Sequence, residues 1–136
     1  MANQSGLFAN APILGMTTLN GANTARDGTG SNLFTAYTTS NGSIINGIIL
    51  NNANVTGNTW SNRVIRVFIC TSGTNYLYFE TLPKYLEQPT NTTATKPIYI
   101  DFNGLPLESG QSVVLSQSSY AANADLVSAS VYGYKL

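Results

Sequence analysis

Six carboxylates, Asp27, Glu80, Glu87, Asp101, Glu108 and Asp125, are the main acid–base groups of this sequence, because histidine is absent. Without histidine neither a Ser-His-Asp nor a Cys-His constellation can form, and the commonest metal ligand is missing. A glycosidase would need two of the carboxylates across one cleft. Glu80 and Asp101, on strands of opposite flank, are the pair to compare. The other acids read as solvated or turn-capping. Cys70 stands alone in an apolar run, so an internal disulfide and a thiolate zinc site are both excluded. It reads as a small buried hydrophobe. Gly28 and Gly30 in Asp27-Gly28-Thr29-Gly30 lack the lysine of a phosphate loop and mark a turn.

Binding chemistry is richer than acid–base chemistry. Trp60 and the tyrosines Tyr76, Tyr78, Tyr85, Tyr99, Tyr120, Tyr132 and Tyr134 could line a sugar platform, though tyrosine is also a favoured strand and interface residue. Arg63 and Arg66 fall on opposite faces of one strand and form no joint basic patch. Arg66, between apolar neighbours, reads as paired at a subunit or sheet boundary. Leu7 and Phe8 are apolar hooks in an otherwise polar N-terminal stretch. The sequence thus offers no catalytic, metal or cofactor site and reads as non-enzymatic. Leu7, Phe8, Trp60 and Arg66 are the expected partner-binding residues.

The elements that must position these residues follow from composition and spacing. At 136 residues the chain has room for one domain. Charged residues are only 9% and net charge is zero, while Asn, Thr and Ser make up about a third. Neutral amides and hydroxyls suit strand faces and turns, and zero net charge gives no footprint for nucleic acid. No run approaches the roughly twenty apolar residues of a membrane helix. The N-terminus lacks the basic and apolar regions of a signal peptide, so synthesis in a host cytoplasm is expected.

Short apolar runs alternate with Gly/Asn/Ser/Thr clusters, the pattern of sandwiches and barrels. Strands are expected after Pro12, over Leu33 to Thr39, Ser43 to Asn51, Arg63 to Thr71 and Tyr76 to Leu82, and through Ile98 to Phe102. Ser112 to Gln117 and Asp125 to Tyr134 complete the set. Asn41-Gly42 suits a tight hairpin turn. The two-sided apolar character of Arg63 to Thr71 marks an interior strand, with Tyr76 to Leu82 as its hairpin partner. The expectation is an all-β, single β-sandwich, jelly-roll-like, of about eight antiparallel strands. It would span residues 12–136 and be preceded by an N-terminal arm, residues 1–11.

Asn23-Thr24-Ala25-Arg26-Asp27-Gly28-Thr29-Gly30, Arg66-Val67-Phe68-Ile69 with Gly73-Thr74-Asn75-Tyr76, and Leu105-Pro106-Leu107 with Ser109-Gly110 together resemble a group of small tailed-bacteriophage virion proteins. The resemblance implies a β-sandwich on the capsid exterior, either a decoration (cement) protein or the base of a head fibre. Its expected partners are itself, as a homotrimer, and the major capsid protein or a head-fibre protein. A head-fibre or tail module that binds a receptor or host glycan is the alternative.

Overall fold

The computed structural model describes residues 11–53, 63–82, 97–120 and 126–136. Eight strands and no helix occur among them: β1 (Pro12–Leu19), β2 (Phe34–Thr38), β3 (Ser43–Asn52), β4 (Ile65–Thr71), β5 (Thr74–Thr81), β6 (Ile98–Leu107), β7 (Ser112–Gln117) and β8 (Val127–Lys135). They form two four-stranded sheets: sheet A, ordered β1-β8-β3-β6, and sheet B, ordered β2-β7-β4-β5. Every pairing is antiparallel, and the chain is wound in nested pairs, β1 with β8, β2 with β7, β3 with β6 and β4 with β5. The expected all-β sandwich is the observed fold.

Alternation builds the core. Ile13, Ile45, Ile48, Leu50, Ala129 and Val131 of sheet A pack inward against Ile65, Val67, Val113 and Leu115 of sheet B. In β3 strict alternation would send one member of each Ile pair out of phase. The register shift between Ile45 and Gly47 inserts Asn46 as a bulge, so Ile45 and Ile48 both point inward. Along β8, Val127, Ala129 and Val131 are buried, as their spacing predicts. At one flank the sheets touch. A Cβ on Gly15 of β1 would collide with the Ala36 carbonyl of β2 and with Tyr37 Cβ, so only glycine allows this approach.

Several local expectations need correction. Asn41-Gly42 is no hairpin turn: β2 belongs to sheet B and β3 to sheet A, and the segment carries the chain between them. Strict alternation puts Tyr37 with Leu33 and Thr35 on the face opposite Phe34, but it packs on the core with Phe34, because the register shift between Thr35 and Tyr37 reverses its face. The β4–β5 turn is tighter than expected, with Ser72 (φ 51°) and Gly73 (φ 81°) at its centre, the positive-φ pair that a two-residue hairpin requires. Cys70 is half-buried and not a core residue. β4 begins at Ile65, two residues later than expected, and is interior, between β7 and β5.

Ile65 is fully buried whereas Ile69 is only partly so. Ile65→Ala should therefore cost about 2–5 kcal/mol in urea unfolding, and Ile69→Ala less. Equal losses below about half a kcal/mol would place β4 at the surface.

Candidate functional site

The outer faces of the two sheets differ, and the difference locates the candidate surface. On sheet B the outward residues of β4 and β7, Arg66, Phe68, Val114 and Ser116, are buried. Residues 20–33, between β1 and β2, lie against that face. Asn23 N–H donates to the Gln117 carbonyl at 2.8 Å, and Asn75 Nδ2 donates to the Gly28 carbonyl at 3.0 Å. Gly28, at φ 74°, comes so close that a Cβ there would lie 3.3 Å from Phe68 Cδ1. The connection is shaped from within: Asn23 Nδ2 donates to the Thr29 and Ser31 carbonyls, its Oδ1 accepts from Ala25 N–H, and Asp27 Oδ1 accepts from Thr29.

Arg66 belongs to this covered face. Its Nε donates to Glu80 Oε2 at 3.0 Å, across the β4–β5 ladder where the two residues are register partners. Arg26, reaching down from the connection, donates Nε to the same oxygen at 3.3 Å and Nη2 to Oε1. Hydrogen bonds from Arg26 and then Arg66 hold the Glu80 carboxyl below the usual carboxylate range. Arg66 is thus paired within its own chain, with a carboxylate on the edge strand β5. Arg63, on the opposite face, is buried and donates to Gln117 Oε1 at 3.2 Å.

Nothing comparable covers sheet A among the described residues. Register places Leu14, Tyr132 and Gly47 in one outward row, Met16, Ser130, Ile49 and Tyr99 in the next, and Pro12, Tyr134, Ile44 and Pro106 in a third. Leu14 is 63% exposed, and Met16 and Tyr99 66% each. The single charge in these rows is Asp101, opposite Gly47, and its Oδ1 accepts from Asn103 N–H at 2.8 Å. A solvated outer face is normally half polar; here the polar side chains gather in a fourth row, Thr18, Ser128 and Asn51, and the apolar ones in the other three.

A second apolar patch follows β5, which among the described residues pairs only with β4. Tyr76, Leu77, Tyr78 and Phe79 are all exposed in succession. The register shift beside Phe79 leaves Tyr78 as the extra residue and turns both rings toward the same side. They meet Phe102 of β6 edge-on, with centroids 5.3 and 6.4 Å apart.

Glu80 and Asp101, compared above as a catalytic pair, share no cleft: Glu80 lies on the outer face of sheet B and Asp101 on that of sheet A. Leu7, Phe8 and Trp60 fall outside the described residues. Reading single strands missed the sheet A face, because its residues come from four strands and gather only once the register is set. No protein-family model and no curated protein matches the chain.

Pairing favours the charged form of Glu80, so its contribution to stability is present above the ordinary carboxylate pKa of about 4.3 and is lost as pH falls through the lower folded value. In thermal melts taken from neutral to acid pH, wild type should lose more stability than Glu80→Gln below about pH 4.3. Parallel curves would show that Glu80 is not held by its arginines.

Proposed function

We propose that this chain is a structural assembly protein without catalytic activity: a capsid decoration protein of a tailed bacteriophage, acting as a homotrimer on the capsid exterior. The observation that carries the reading is the pair of unlike apolar patches, the outer face of sheet A and the β5 edge. A single two-fold contact uses one self-complementary patch, whereas a closed ring joins two different patches head to tail. Four strands about 4.8 Å apart and about eight residues long present roughly 500 Å² on sheet A. One copy-to-copy contact there would bury about 1,000 Å² in total, the lower bound for a specific interface. Burying Leu14 or Met16 would contribute about 1.5–3 kcal/mol each.

The nested two-sheet winding and the low share of charged residues agree with the virion resemblance of the sequence. Leu14, Met16, Ile44 and Ile49 interrupt the tyrosines of sheet A, which favours a protein surface over the glycan platform of the head-fibre or tail alternative. On this reading the major capsid protein or a head-fibre protein is the second partner, and no nucleic acid or membrane is engaged.

Sedimentation equilibrium of the isolated protein should return the mass of three chains. The double variant Leu14→Lys/Met16→Lys should return one, with unchanged near-ultraviolet circular dichroism. Mass spectrometry of purified particles should find the chain in multiple copies. A monomeric wild type together with a lone copy per particle, or none, would overturn the proposal, and a two-chain mass would overturn the ring.

A further inference from the structure

The connection that covers sheet B has no large apolar side chain with which to anchor itself. From Asn20 to Asn32 its only apolar side chains are Ala22 and Ala25, and the rest are Asn, Gly, Thr, Ser, Arg or Asp. Yet it lies over Phe68, a fully buried ring that stands outside the core shared by the two sheets. Apolar burial thus favours the contact from the side of the sheet alone.

What shapes the segment is internal. Asn32 Nδ2 donates to the Ala22 carbonyl at 3.0 Å and Asn23 Nδ2 to the Ser31 carbonyl at 2.6 Å, which pins the two ends together as the neck of an Ω-loop. The neck is fixed to sheet B, where Asn23 N–H donates to the Gln117 carbonyl at 2.8 Å. The tip is held by two polar links, Arg26 to Glu80 and Asn75 Nδ2 to the Gly28 carbonyl, and both end on the edge strand β5. Arg26 is 67% exposed, so water and salt compete for its link. Glu80 is not stranded when Arg26 lets go, because Arg66, its register partner on β4, still donates to it.

We propose that residues 25–30 form a lid that lifts from sheet B as a unit, turning about the Asn23–Asn32 neck and uncovering Phe68 while the sandwich stays folded. Arg26 on Glu80 is its latch. On opening, Arg26 exchanges Glu80 for water and Glu80 keeps Arg66, so little polar interaction is lost. Burial of Phe68 makes the closed form the dominant one, and opening is a local event within the native state. The lid keeps an aromatic surface of sheet B out of water until the latch is released. It does not rest on the assembly reading, because lid, latch and Phe68 all belong to the covered face of sheet B.

Cys70, the only cysteine, reports on the lid. It shares the face of Phe68, two residues along β4, and lies opposite Asn75, where the tip is tied. Labelling by a bulky aromatic disulfide reagent should be about two- to five-fold faster in Arg26→Gln, the effect of losing one exposed ion pair. Molar salt should bring the wild type to the same rate and leave the variant unchanged. Gly28→Ala, whose Cβ would lie 2.5 Å from Asn75 Cβ, should label faster still. Amide exchange at Val67, inside β4, should match the wild type in Arg26→Gln. Equal labelling rates in the wild type and both variants would overturn the lid. So would labelling and Val67 exchange that rise together in Arg26→Gln, because Cys70 would then be reached only by unfolding of the whole domain.

Discussion

One apolar layer, shared by two sheets, is what the remaining structure depends on. Ile45, Ile48, Leu50 and Val131 from one side and Ile65, Val67, Val113 and Leu115 from the other can be buried only while both sheets are in place. At about 25 cal/mol per Å² of apolar area, this layer is the dominant favourable term in folding. Its demands explain the irregular positions. The Asn46 bulge preserves the inward isoleucines of β3, and Gly15 keeps β1 against β2.

A sandwich built this way has two outer faces, and this chain treats them unequally. Sheet B is covered by the chain itself, whose β1–β2 connection shields Phe68 and Arg66. The cost of placing an arginine there is offset by Glu80, which in turn ties the connection down through Arg26. Sheet A presents Leu14, Met16 and Tyr99 outward, where water would favour polar residues. A polar connection of similar length could have covered that face as well. That none of the described residues covers it is the physical feature behind the assembly proposal.

Much of the fold was legible in the sequence. The Ile98, Ile100, Phe102 and Val127, Ala129, Val131 series follow period two, and the inward face of each is apolar where expected. Turn residues located the β4–β5 hairpin to within two residues. The misses share a cause: partners distant in sequence. Asn41-Gly42 has the local chemistry of a hairpin, yet β2 pairs with β7 and β3 with β6 and β8, so the turn became a crossing between sheets. Tyr37 changed face through a bulge that no residue type announces. Arg66 was singled out correctly as paired, but its partner lies on β5 and shares its carboxylate with Arg26, 54 residues away from Glu80. The sheet A patch is the extreme case, since no single strand contains more than a fraction of it.

The central claim is that the open face of sheet A and the β5 edge are covered in the working assembly. Hydroxyl-radical footprinting of the assembled protein against the Tyr99→Lys variant tests it most directly. The account predicts that Met16 and Tyr76 are oxidised several-fold more slowly in the assembled wild type than in the dissociated variant. Equal oxidation rates at both residues would contradict it.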